Sequence, residues 1–119
     1  YFIKMNKEKL LAFSTAWKNG NVEEIMSFFS EDCIYKASVG SEPGTTFIGV
    51  KEVAIGIEKM IAFDNAVSSE VSNIKIDGDF GFWEWTYTYS NGDIVKGCDV
   101  FEFGEDLIKT KNAFRKVTN

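Results

Sequence analysis

The stretch from Phe80 to Phe103 constrains this chain more than any other part of it. An aromatic run, Phe82-Trp83-Glu84-Trp85-Thr86-Tyr87-Thr88-Tyr89, and a largely apolar run from Ile94 to Phe103 flank Asn91-Gly92. Asn-Gly between two such runs predicts a β-hairpin, because both central residues of a type I′ turn need positive φ. With a two-residue loop, Ser90 pairs with Asp93 and Glu84 falls opposite Asp99. Side chains alternate along a strand, so Phe82, Glu84 and Thr86 share one face with Asp99, Phe101 and Phe103. Two carboxylates side by side on a buried face repel, and one is expected to hold its proton near neutral pH. The whole expectation depends on the turn, since a slip of one residue sends each side chain to the other face.

The opposite face then carries Trp83, Trp85, Tyr87 and Tyr89. An aromatic second face is expected to be an interface, and a homodimer through Trp83, Trp85 and Tyr87 is predicted. The alternative is that these aromatics are the core-facing side of the sheet.

Upstream the pattern is helical. Asn6 can cap a first helix with Leu10, Phe13, Ala16 and Trp17 on its apolar face, ended by Gly20. Asn21 with Glu24 reads as a second cap, for a helix burying Val22, Ile25, Met26 and Phe29. Cys33 to Val39 reads as a strand, residues 40–44 as a loop, and Thr45 to Ile48 as a short extended piece. A third helix follows Gly49, with Val53, Ile57, Met60 and Ile61 on its apolar face. After Asp64-Asn65 the chain is all β: residues 67–77, the hairpin, then Leu107 to Val117. Helices segregated ahead of an antiparallel sheet give the α+β class, in one domain spanning residues 1–119. Residues 1–4 are expected to be disordered or extraneous, with Met5 as the native start.

The chain has 119 residues, 45% of them hydrophobic and 15% aromatic, enough for one real core. A net charge of −5 with no basic stripe argues against nucleic-acid binding. No apolar run is long enough for a membrane helix. Cys33 and Cys98 make no disulfide framework and read as reduced, buried thiols of a cytoplasmic protein. There is no histidine, which excludes Ser-His-Asp and Cys-His catalysis. No metal site or cofactor is expected. Proton transfer must fall to Asp, Glu, Tyr, Lys or Cys.

The order of elements, with Ala16-Trp17-Lys18-Asn19-Gly20-Asn21, Phe29-Ser30-Glu31-Asp32-Cys33-Ile34-Tyr35, Phe47-Ile48-Gly49 and Asp99-Val100-Phe101-Glu102-Phe103, resembles the nuclear transport factor 2-like, or SnoaL-like, superfamily. The resemblance implies a cystatin-like cone: three N-terminal helices packed on a curved, mainly antiparallel sheet that encloses an apolar pocket. It also implies dimerisation through the outer sheet face. The segment from Val39 to Pro43 looks like ketosteroid isomerases. Carried over, however, that family's base falls on Ala37 and its oxyanion-hole Tyr on Phe13, leaving only Asp99. Against limonene epoxide hydrolases, Tyr35 matches, the two Asp positions fall near Glu84 and on Asn112, and the Arg position falls near Phe82.

These readings converge on a pocket for a small apolar molecule. Asp99, Glu84, Tyr35 and Asn112 are the candidate catalytic groups. Phe13, Trp17, Met60, Phe82, Phe101 and Phe114 are the candidate ligand-binding walls. The expected function is binding of a small hydrophobic molecule, with cofactor-free isomerase, cyclase or hydrolase chemistry through Glu84 and Asp99. The alternative is a ligand-binding or assembly module without activity.

Overall fold

The computed structural model describes residues 3–40 and 44–117. Its order is α1 (Lys7–Asn19), α2 (Val22–Met26), β1 (Phe29–Lys36), β2 (Thr46–Ile48), α3 (Gly49–Asp64), β3 (Ser68–Asp77), β4 (Phe80–Thr88), β5 (Ile94–Gly104) and β6 (Leu107–Arg115). The expected α+β order holds, with two shifts. α2 stops at Met26, and Phe29 opens β1 instead of closing the helix. Tyr1, Phe2 and the loop residues Ser41, Glu42 and Pro43 lie outside the described residues. Ile3 and Lys4 are exposed, whereas Met5 is buried and its N–H donates to the Glu105 carbonyl at 3.0 Å.

The helix ends follow from local chemistry. Asn6 Oδ1 accepts the Lys9 N–H at 2.8 Å, and Asn21 Oδ1 accepts the Glu24 N–H at 3.1 Å, each satisfying an orphan donor of the first turn. Gly20 stops α1 in the left-handed region at φ 70°, its N–H bonded to the Ala16 and Trp17 carbonyls.

One six-stranded sheet runs in the order β2-β1-β6-β5-β4-β3, antiparallel except between β1 and β6. Bulges bend it. In β3, Asn73 at φ 53° and Ile74 stand against Trp83 alone, because Ser72 pairs with Glu84 and Lys75 with Phe82. In β6, Lys109 is the extra residue between the Phe103–Ile108 and Glu102–Thr110 pairs.

Phe13 sits at the centre of the concave side, with no exposed surface. Its ring contacts those of Trp17, Phe28, Phe29, Trp83 and Phe101 at centroid distances of 5.6–6.3 Å. Burying such a side chain stabilises the fold by about 1.5–3 kcal/mol. From α3, Val53, Ile57 and Met60 join this core.

The hairpin register is the main correction. Tyr89 N–H donates to the Asp93 carbonyl and Gly92 N–H to the Tyr89 carbonyl, at 3.0 and 2.9 Å. The loop is therefore Ser90-Asn91-Gly92, with Gly92 at φ 90°. A three-residue loop with a left-handed Gly uses the same residues as the expected two-residue turn. It moves the register by one: Trp83 faces Asp99, and Glu84 faces Cys98. Trp83 and Trp85 are buried, at 3% and 7% exposure, in the chain's own core, with Tyr87 packed beside them. They are thus the core-facing side of the sheet and do not form an outer face for a second copy. No helix among the described residues is long and apolar enough to cross a membrane.

Candidate functional site

The concave face leaves a partly enclosed cavity of about 40 Å³ between α1, α3 and the sheet. The aromatic side chains fill most of the interior expected to be open, because they stack on Phe13 and on one another. A water needs roughly 10–15 Å³ of such space, so the cavity has room for roughly three waters or a ligand of similar bulk.

Its floor is an ion pair. Lys111 Nζ lies 3.1 Å from Asp99 Oδ1, with the two side chains 6% and 4% exposed. The second carboxylate oxygen of Asp99 accepts the Trp83 Nε1–H at 2.7 Å. Lys111 Nζ also stands 4.5 Å from the ring centre of Trp17 and 4.9 Å from that of Tyr35, where the π faces attract a cation. Burial first, and then the Asp99 charge, push the Tyr35 hydroxyl well above its ordinary range, so it keeps its proton.

A second ion pair lines the outer end. Arg115 Nη2 donates to both oxygens of Asp64 at 2.8 and 3.1 Å, and Arg115 Nε donates to Ser38 Oγ at 3.1 Å. Tyr89 donates its hydroxyl to Asp64 Oδ1 at 3.2 Å. Burial works against the Arg115 charge, but Asp64 and Tyr89 together outweigh it and raise the guanidinium above its usual value.

Of the residues expected at the site, Phe13, Trp17, Tyr35, Met60 and Asp99 line the cavity. Phe101 packs behind it, 5.1 Å from the Trp83 ring. Glu84, Phe82, Phe114 and Asn112 do not reach it. Glu84 is exposed on the convex face, where its Oε2 accepts from Asn73 Nδ2 at 3.0 Å. It faces Cys98 and not Asp99, so the expected side-by-side pair of carboxylates does not form. With Phe82, Phe114 and the half-buried Cys98 it borders a shallow outer depression. Asn112 is turned outward by the bulge at Lys109. Strict alternation from the inward Ile108 would point Asn112 into the cavity, but the extra residue brings Lys111, Ala113 and Arg115 there instead.

Sequence reasoning missed Lys111, Asp64 and Arg115, and placed Trp83 towards the core only as the alternative. Only Asp64 carried a legible signal. It continues the helical stripe of Val53, Ile57 and Met60, and a carboxylate on an apolar stripe needs a partner. The other three depend on the turn length and the bulge.

The profile of the SnoaL-like domain matches residues 10–110. The chain belongs to the SnoaL-like family. The architecture of this SnoaL-like domain is shared with solved structures at low sequence identity. A nuclear transport factor 2-like protein of unknown function from Mesorhizobium loti superposes with a TM-score of 0.77 at 16% identity, over 92% of this chain and 89% of that one. A protein of unknown function with a cystatin-like fold from Methylobium petroleophilum PM1 gives 0.76 at 15%, over 98% and 81%. A hypothetical protein with a ketosteroid isomerase-like fold from Catenulispora acidiphila, in complex with trimethylamine, gives 0.73 at 16%, over 92% and 86%. These likenesses establish the fold. No curated protein sequence matches this SnoaL-like domain significantly.

Proposed function

We propose that this SnoaL-like domain binds a small, uncharged carbonyl compound in the aromatic cavity, with Lys111 Nζ donating to the carbonyl oxygen. The observation that carries the reading is a buried ammonium lining the cavity that, among the described residues, gives one of its three possible hydrogen bonds to protein, to Asp99. The Asp99–Lys111 pair is already neutral. A second anion would meet the Asp99 carboxylate, and a cation would meet Lys111, so a neutral acceptor fits the charge balance. Trp17, Tyr35 and Trp83 supply the apolar walls.

Binding without turnover is the favoured form of this reading. Asp64 and Asp99 are each held in an ion pair. Glu70, the remaining carboxylate of the lining, is exposed. No carboxylate is thereby left free inside the cavity to take a proton from carbon. The free thiols Cys33 and Cys98 suit a reducing compartment, as the cytoplasm is.

The test titrates acetone into the wild type and into the Asp99→Asn/Lys111→Met pair, following ligand-observed NMR and tryptophan emission. A hydrogen bond from a charged donor is worth about 1.5–3 kcal/mol, so the double variant should bind at least about tenfold more weakly. Equal binding by both proteins, or none by the wild type, refutes the reading. Exchange of ketone α-protons in D₂O, catalysed by the wild type alone, would favour an enzyme over a binding module.

A further inference from the structure

Resting on that reading of the cavity, we infer that Arg115 sets the size of ligand the site accepts, by holding Asp64 as a wall between the cavity and a larger groove outside it. The inner cavity measures about 40 Å³ and the outer groove about 480 Å³. Trp17, Asp64, Ser69 and Tyr87 line both spaces. Of these four, Asp64 is the charged one, and Arg115 grips both of its carboxylate oxygens.

Arg115 is the centre of a clasp joining four parts of the chain. Asp64 ends α3, Arg115 ends β6, Ser38 follows β1, and Tyr89 begins the β4–β5 turn. The hydrogen bonds among them run from 2.8 to 3.2 Å. The guanidinium also lies 5.2 Å from the Trp85 ring centre and 5.7 Å from that of Phe63. The two ion-paired side chains are 12% and 9% exposed. The planar fork of arginine can meet a carboxylate with one edge and a hydroxyl with another; lysine, a point donor, cannot hold both in one plane. With the clasp formed, a ligand on Lys111 is confined to the small cavity. With Arg115 truncated, Asp64 loses the partner that fixes it, and the two spaces join.

The experiment compares wild type and Arg115→Ala with acetone and acetophenone as probes, and with acrylamide quenching of tryptophan emission. All three tryptophans of the chain, Trp17, Trp83 and Trp85, line the cavity, so quenching reports its opening without any ligand. The wild type should bind acetone and exclude acetophenone. Arg115→Ala should bind acetophenone at least about tenfold more tightly than the wild type does, and quench more steeply. An unchanged size limit with unchanged quenching overturns the inference. Steeper quenching with no ketone bound by either protein supports the clasp and refutes the carbonyl site beneath it. Should Arg115→Ala not fold, Arg115→Lys and Tyr89→Phe loosen the clasp without removing it. Steeper quenching than wild type in both supports the inference, and wild-type quenching in both overturns it.

Discussion

Replacing Lys111 by Met tests the floor of the cavity most directly. Methionine keeps the length and most of the volume of the stem, a change that by itself usually costs less than about 1.5 kcal/mol. What it removes is the ammonium 3.1 Å from Asp99 Oδ1. Asp99 then keeps the Trp83 Nε1–H as its hydrogen-bond donor at 2.7 Å. Breaking a buried pair by deleting one partner costs about 3–5 kcal/mol, because the other charge stays buried without compensation. A domain of this size has a stability of roughly 5–15 kcal/mol in all, so the loss is a large share of it. At roughly 3–5 °C per kcal/mol for this chain length, Tm should fall by roughly 9–25 °C. Urea denaturation and calorimetry measure both quantities. Converting Asp99 to Asn as well removes the stranded charge while leaving an oxygen for Trp83. The Asp99→Asn/Lys111→Met pair should therefore recover at least about 2 kcal/mol of what Lys111→Met lost. If Lys111→Met costs less than about 1 kcal/mol, or the second substitution recovers nothing, the reasoning about a buried, paired charge is wrong.

Two further outcomes are expected. Burial, followed by the charge of Asp99 for Tyr35 and of Asp64 for Tyr87, raises both hydroxyls above the ordinary tyrosine value. A raised folded value means the proton is held more tightly in the fold. The stability it contributes is full below about pH 10 and is lost as pH climbs from there toward the folded value. Absorbance titration at pH 11 should find Tyr35 and Tyr87 still protonated in folded protein, and phenolate in urea; ionisation near pH 10 without unfolding would contradict this. In β5, Gly97 packs against the Trp85 ring and the Phe114 carbonyl, and a Cβ there would overlap both. Gly97→Ala should cost about 1–3 kcal/mol in urea, and a neutral result would mean that Trp85 does not lie where the cavity wall requires it.

The helices of this domain were written locally. Asn6, Gly20 and Asn21 act within a turn of where they stand, so their hydrogen bonds could be foreseen from the residues alone. The α+β class followed from the change in periodicity after Asp64. The site was legible in part: through Phe13, Trp17 and Met60, whose faces are set by helical spacing, and through Tyr35, which alternates with the buried Cys33 after the register shift in β1. Asp99 was foreseen as a buried acid, but with the wrong neighbour.

What the residues could not fix was parity. Asn91-Gly92 suits a two-residue loop and a three-residue loop alike, and the choice between them exchanged Glu84 for Trp83 beside Asp99. The Lys109 bulge exchanged Asn112 for Lys111 in the same way. Each alternative satisfies local backbone geometry. They differ in which side chains are buried, and that is settled only when the sheet closes over α1. Packing Trp83 against Phe13 buries a large apolar ring, while the same register puts Glu84 in water, where a carboxylate needs no partner. The sequence by itself determined the helices, their caps and an aromatic interior. The tertiary structure decided which charges enter that interior, because strand faces are chosen by the burial energy of the whole sheet rather than by any one turn.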